Sequence, residues 1–335
     1  MTARLLLPLF PKLRRTLPVL DLGTFPTPTE PFQLDDSRSE QIWIKREDQS
    51  SPLYGGNKVR KLEVLLGSAN RSEKDGVYCI GVTCSNWVAA TSLHARAKNM
   101  EVHLAMTPIK GDAHNAFENE QTSLNHASST IFSRHLTTLL PVALTRWIRL
   151  LPSRPLCLPW GGTSTASSLG YVGAAFELQQ QIESKKCPLP SWIVLPLGTG
   201  GTAAGLLAGL ELTRLPIRLL GVSILKSPSA SAASVRFQAR RILRRLGRTP
   251  HLTKNRLVVD PHQIGRGYGW STPQARTAVL RAREESGIQL ETTYSGKALA
   301  GLLARQEAGT LGNDPILFWN TFAGPHSSTP STSTP

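Results

Sequence analysis

The sequence predicts an α/β protein, and three observations carry that reading. Short apolar runs alternate with longer helical stretches along the 335 residues. The clearest runs, GVYCIGV at Gly76–Val82 and WIVLPL at Trp192–Leu197, are apolar almost throughout, as strands buried on both faces are. Each run leads into a polar or glycine-rich turn and then a helix, the order of a βα unit.

In chain order, IWIKRED (42–48) is the first strand candidate, and a helix over 58–70 is entered from the Gly55-Gly56 loop. The strand Gly76–Val82 is followed by a polar turn at 83–86, a helix over 87–98 and a strand over 101–106. The stretch 110–159 carries no strong strand signal; its most apolar part, 136–151, reads as a buried or half-buried helical hairpin. A helix over 170–184 precedes the strand Trp192–Leu197, a tight loop at 198–201 and a helix over 202–212. A strand at Arg218–Ser223, an amphipathic helix over 272–286 stopped by Gly287, and a strand over 315–320 complete the pattern. The tail 326–335, almost wholly Ser, Thr and Pro, is expected to be disordered. There is no internal repeat.

Composition narrows the function classes. No stretch approaches the roughly 20 uninterrupted apolar residues of a membrane span; Pro141, Arg146 and Arg149 interrupt the nearest candidate. The N-terminal MTARLLLPLFPKLRR has too short an apolar core for a signal peptide, which predicts a cytoplasmic protein. Cys79, Cys84, Cys157 and Cys187 form no C-x-x-C pair and the histidines lack ligand spacing, so no metal is expected and the cysteines read as small buried hydrophobes. The net charge of +15 includes a basic run at 236–256. With no aromatic platform or nucleic-acid motif, that run reads as a solvated amphipathic helix whose Phe237, Ile242, Leu243 and Leu246 face inward, and no specific nucleic acid is expected.

Four segments carry chemistry. Tyr54-Gly55-Gly56-Asn57-Lys58-Val59-Arg60-Lys61 places a lysine after a glycine turn, where desolvation and the nearby cations Arg60 and Lys61 would lower its pKa. A lysine after a Gly-Asn turn is, by itself, more often a surface residue. Gly198, Thr199, Gly200, Gly201 and Thr202 follow a buried strand and open a helix, which presents unpaired N–H groups and the positive helix end to an anion. Neither a full dinucleotide fingerprint nor a P-loop is present, so the loop suits one phosphate monoester. Ser85 and Asn86 start a helix, either as a simple cap or as a site for a carboxylate or phenolate oxygen. Tyr268 in Gly-Tyr-Gly and Tyr294 before Ser295 sit in loops from which each could reach a flat ring.

Taken in order, GGNKVRKLE, TCSN, LGTGGTAAGL, GYG and TTYSGKALAGL resemble the 1-aminocyclopropane-1-carboxylate deaminase/D-cysteine desulfhydrase family, from about residue 20 to 322. The resemblance implies the two-domain, tryptophan-synthase-β-like fold of pyridoxal 5'-phosphate (PLP) enzymes, fold type II. It implies a larger domain from 1–52 and 161–325, a smaller one from 53–160, and a homodimer. Lys58 would be the Schiff-base lysine and would move protons. Asn86 would bond the cofactor's phenolate oxygen, and Ser85 would contact the substrate carboxylate or assist the base. Gly198, Thr199, Gly200, Gly201 and Thr202 would hold the phosphate, Tyr268 and Tyr294 would flank the ring, and Thr321 or else Ser295 would sit near the pyridine nitrogen. The implied reaction is β-elimination and deamination of a small amino acid, D-cysteine to pyruvate, sulfide and ammonia. Cyclopropane ring opening, D-serine-type deamination and PLP binding without turnover are the alternatives.

Three positions depart from that family's pattern. Trp87 follows Ser85-Asn86 where relatives carry a polar residue, and would narrow the substrate pocket or remove a carboxylate donor. The late His-Thr-Gly-Gly reads Asn320-Thr321-Phe322-Ala323, and Ser295 stands where the deaminases have glutamate, which leans away from ring opening.

Overall fold

In a computed structural model that describes residues 3–34, 41–112 and 116–322, the chain builds two sheets. Two single-turn helices, α1 (Leu6–Leu9) and α2 (Leu13–Thr16), precede β1 (Thr29–Pro31), β2 (Ile42–Arg46) and α3 (Val59–Arg71). Next come β3 (Gly76–Val82), α4 (Asn86–Arg96), β4 (Glu101–Thr107), α5 (Ala116–Asn125), β5 (Ser129–Phe132), α6 (Leu136–Leu150) and β6 (Leu156–Cys157). Then α7 (Leu169–Glu183), β7 (Trp192–Leu197), α8 (Gly201–Thr213), β8 (Arg218–Ser223), α9 (Ala232–Arg245) and β9 (Leu257–Asp260) follow. The chain returns through α10 (Pro273–Ser286) and α11 (Ser295–Glu307) to β10 (Ile316–Asn320).

The larger sheet runs β1-β2-β10-β7-β8-β9 and is parallel except for β1. Every residue of β7 and β10 is buried, because helices cover both faces. One face packs Leu195, Leu197 and Trp319 against α7, α8 and α9; the other packs Val194, Val222 and Phe318 against α10 and α11. Helix α8 is apolar all round and lies so close to α7 that a Cβ on Gly205 would sit 2.4 Å from the Ser168 carbonyl. The smaller sheet, β5-β4-β3-β6, is wholly parallel, with α3 and α4 on one face and Leu139, Ala143 and Leu150 of α6 on the other. These mixed layers are the two open sheets flanked by helices that the sequence predicts.

Four expectations are corrected. The segment 110–159, without a strong strand signal, holds two strands: β5 is four residues long and β6 two, both at sheet edges and too short for a clear pattern. The stretch 136–151 is one helix and not a hairpin, and only one of its faces is buried. Phe237 is exposed, because the buried stripe of α9 is Val235, Ala239, Ile242 and Leu243, and position 237 falls on the opposite side of the helix. Cys157 is exposed on the two-residue edge strand β6, while Cys79, Cys84 and Cys187 are buried. The tail 326–335 lies outside the described residues. Among the described residues, no helix is long and apolar enough to cross a membrane.

Beneath the sheets lies a buried ionic cluster. Arg60 donates to both carboxylate oxygens of Glu47 at 2.6 and 2.8 Å, and to Glu177 at 2.9 and 3.0 Å. Lys45 Nζ donates to Glu177 and Gln181, both at 2.6 Å, and to the Thr27 carbonyl at 2.7 Å. Tyr171 donates to Glu47 at 2.9 Å and to the Asn57 carbonyl at 3.1 Å, which ties the cluster to the residue before Lys58.

Candidate active site

A cavity of about 380 Å³ opens between the sheets, at the carboxyl ends of β3 and β7. Loops and helix N-termini converge at such an edge of parallel strands, which is where open α/β sheets bind ligands. Its walls include Lys58, Lys61, Ser85, Thr199, Tyr268 and Tyr294.

The loop after β7 forms one wall. Gly200 takes φ 82°, a left-handed turn that glycine adopts without strain, and caps α8. The first-turn N–H groups of an α-helix have no intrahelical partner, so the start of α8 offers donors to an anion in the cavity. Hydroxyls join them: Thr199 Oγ1 lies 2.6 Å from Thr163 Oγ1, and Asn57 Nδ2 donates to Thr202 Oγ1 at 3.2 Å. Lys61 Nζ donates to Thr163 Oγ1 at 3.2 Å, which puts an amine on the same cup. Gly161 keeps the cup open, since a Cβ there would approach the Thr199 side chain to 2.9 Å.

Lys58 stands at the N-cap of α3, facing the same cavity, with no hydrogen bond or ion pair drawn from its amine to any described residue. Burial alone holds its pKa down to about 8, so about a tenth of the amine is neutral at pH 7. Of the two causes expected, desolvation acts on Lys58 and the cations Arg60 and Lys61 do not. Arg60 instead turns into the cluster of Glu47 and Glu177, and the charge coupling acts on Lys61, held well below its ordinary pKa by burial and then by Lys58. The two lysines are three apart, so the helix turns both to one side.

On the other wall, Ser85 caps α4 and accepts the Trp87 N–H at 3.2 Å. Asn86 does not line the cavity; its amide oxygen accepts from Asn119 Nδ2 at 2.6 Å and from the Tyr54 hydroxyl at 3.3 Å. Tyr54 also donates to Asn119 Oδ1 at 2.8 Å, so two buried side chains set the Asn86 amide. The Trp87 ring packs over Gly162, where a Cβ would come within 2.5 Å of it, and its edge lines the cavity.

Tyr294 donates to Tyr268 at 2.9 Å with the rings at 81°. Burial raises both phenols above their ordinary pKa, so both stay protonated. Lys297 Nζ donates to the carbonyls of Ile264 (2.9 Å) and Gly267 (3.1 Å), which holds the Tyr268 loop. Glu291 accepts the backbone N–H groups of Thr293, Tyr294 and Ser295 and so fixes the Tyr294 turn.

Nine of the twelve residues singled out from the sequence line the cavity: Lys58, Ser85, Gly198, Thr199, Gly200, Gly201, Thr202, Tyr268 and Tyr294. Asn86, Ser295 and Thr321 do not. The Ser295 hydroxyl is buried and bonded at Glu291, and the Thr321 carbonyl accepts from Asn57 N at 3.0 Å. Sequence reasoning missed Thr163, Tyr54 and Asn119, which lie far along the chain from the groups they orient. The i,i+3 spacing of Lys58 and Lys61 was the one local signal for Lys61 as a ligand group. A neutralisable lysine facing an anion cup fits a phosphate-bearing aldehyde, the chemistry of the implied cofactor.

Comparison with known proteins agrees with this geometry. Residues 20–321 match the family described as pyridoxal-phosphate dependent enzyme. The chain is 31% identical to the D-cysteine desulfhydrase of Klebsiella pneumoniae subsp. pneumoniae over 92% of its length and 94% of that protein's. It is 32% identical to that of Salmonella newport over the same shares. A solved structure described as an ACC deaminase homologue superposes with a TM-score of 0.78 at 27% identity, covering 93% of each chain. Threonine deaminase isoform 2 from Solanum lycopersicum, at 16% identity and TM-score 0.65 over 96% of this chain and 90% of that one, shares the fold.

Proposed function

We infer that this chain, which belongs to the pyridoxal-phosphate dependent enzyme family, catalyses β-elimination and deamination of a small amino acid. D-cysteine, giving pyruvate, sulfide and ammonia, is the leading substrate, as in the desulfhydrases it is similar to. One observation carries the reading: Lys58, half-buried and without a carboxylate partner, shares a cavity with the anion cup at the start of α8.

The roles follow from the donors present. Gly198, Thr199, Gly200, Gly201 and Thr202, with Lys61, would hold the phosphate. Lys58 would carry the cofactor aldehyde, and Asn86, set by Tyr54 and Asn119, would meet the ring oxygen. When bound, pyridoxal phosphate supplies an electron sink for the substrate's α-carbon. The Lys58 amine would take the α-proton, a role suited to its lowered pKa of about 8 in the cofactor-free protein. Ser85 and the N-terminal N–H groups of α4 orient the substrate carboxylate. Tyr268, with Tyr294 donating to it, keeps its own proton for the leaving sulfur.

Where the resemblance puts a partner for the ring nitrogen the chain carries Thr321 or Ser295, neutral hydroxyls that would not hold it protonated; a carboxylate is absent from both positions. That absence favours loss of a β-substituent over racemisation or transamination. The cavity mouth favours a second reading, a bulkier apolar leaving group, because Trp160, Leu136, Ile109 and Trp87 line it. A homodimer and a cytoplasmic location complete the proposal, checked by light scattering and by fractionation of cells.

The test is ammonia and pyruvate release across D- and L-amino acids with PLP added, beside Lys58→Ala. Release with cysteine that disappears in the variant is expected. Cofactor absorbance without release from any amino acid would make the protein a PLP carrier. The absence of both cofactor absorbance and release overturns the proposal.

A further inference from the structure

The outer face of α6 is an exposed apolar stripe that the cavity does not explain. Leu136, Leu140, Leu144, Ile148 and the adjoining Leu151 are each between 48% and 62% exposed. At 100° per residue they fall within one arc of about 120°. Phe132, one turn before the helix, extends the stripe. The buried face is separate: Leu139, Ala143 and Leu150 pack on the smaller sheet, and the Ala143 carbonyl accepts from Tyr78. A contiguous apolar surface of this kind on a folded domain marks a docking site.

The charge around the stripe has one sign. Arg134 and Arg154 lie just beyond its two ends, Arg146 and Arg149 fall on the far side of α6, and the sequence holds no Asp or Glu between Glu120 and Glu177. The chain as a whole carries +15. A second copy would bring this same patch against itself, with arginine facing arginine and no acid to answer. An anionic lipid surface answers both features, since its headgroups attract the arginines and its acyl boundary takes the leucines. At 15 residues α6 is about 22 Å long, too short to span a bilayer and suited to lie in its surface.

We propose that α6 is a peripheral membrane-docking helix that seats this enzyme on an anionic lipid surface. Leu136 also lines the cavity, so docking brings the cavity mouth to the lipid. The proposal is independent of which amino acid the site turns over.

The experiment is co-sedimentation of the PLP-loaded full chain with phosphatidylcholine vesicles, with and without phosphatidylglycerol. Binding to the anionic vesicles is expected, weaker by about tenfold or more without phosphatidylglycerol or at high salt. The double variant Leu140→Glu/Leu144→Glu should bind about tenfold more weakly, with cofactor absorbance and ammonia release in solution unchanged. Absence of binding to anionic vesicles at low salt overturns the proposal. So does undiminished binding by the folded double variant, which would assign it to the basic face of α9. A wild-type dimer that becomes monomeric in the variant, with no vesicle binding by either, would make the stripe an interface between copies. Should the variant misfold, the wild-type lipid and salt series still decides.

Discussion

Helix α3 and its cap carry three cations within four residues, Arg60 and Lys61 buried and Lys58 half-buried, and the two sides of that helix treat them oppositely. Arg60 meets Glu47 and Glu177, with Lys45 beside them, so two cations face two carboxylates. Burial by itself would lower the Arg60 pKa, but Glu177 and Glu47 outweigh it and hold the guanidinium charged. Burial likewise would raise Glu177, yet Arg60 and Lys45 pull it down to about 2. Lys58 and Lys61, on the cavity side, form no ion pair with a described residue, and burial lowers both. A buried charge with matched partners holds a scaffold together, whereas a buried amine without them is held ready for a group that arrives from outside.

The sharpest break in that comparison is Lys58→Ala. Cofactor-dependent turnover should fall roughly a thousandfold or more, with loss of the visible absorbance of lysine-bound cofactor. The melting temperature of the cofactor-free protein should not fall, because the lost amine has no partner there. Arg60→Met should do the reverse. It strands the Glu47 carboxylate, leaves Glu177 with Lys45 alone, and should cost about 3–5 kcal/mol in urea unfolding. Lys61→Met lies between them. Losing a charge-assisted hydrogen bond to the phosphate should weaken cofactor affinity by about tenfold to a hundredfold, read by fluorescence titration, with stability unchanged or higher.

Titration separates the two sides with smaller effects. The folded pKa of Glu177, about 2, is below its ordinary 4.5, so its stabilisation is present above pH 4.5 and is lost as pH falls from there through about 2. The folded pKa of Lys58, about 8, is below its ordinary 10.5, so between those values the unfolded chain binds more protons. This contribution to stability therefore rises with pH across that window, and covalent capture of cofactor by the free protein accelerates through about pH 8. Lys58→Met should reduce the alkaline rise, to which Lys61 and Lys297 also contribute, and leave the acid loss in place. A variant with an undiminished alkaline rise would show that Lys58 is not among the titrating amines.

Much of this was legible from local pattern. The apolar runs of β3 and β7 announced parallel strands buried on both faces, and the turn after β7 announced the start of α8. Legibility failed where neighbours along the chain do not decide the outcome. The leucines of α6 read as a buried or half-buried hairpin, yet they form one helix of which only the side carrying Leu139 and Ala143 meets a sheet. Phe237 read as inward because it is apolar, although it lies opposite the buried stripe of its helix. Ser295 and Thr321 sit in segments that approach the site, but Ser295 turns to Glu291 and neither lines the cavity.

By itself the sequence determined the βα units, the glycine turn that delivers Lys58 and the helix start that forms the anion cup. Each depends on backbone dihedrals and burial periodicity within a few residues. Only the tertiary structure decided which of the neighbouring cations would be neutralised. The carboxylates of Glu47 and Glu177 reach Arg60 from 13 and 117 residues away, and Thr163 reaches Lys61 from 102. Whether a buried charge is paired depends on what the fold brings opposite it, and that distinguishes Arg60 in the scaffold from Lys58 at the cavity.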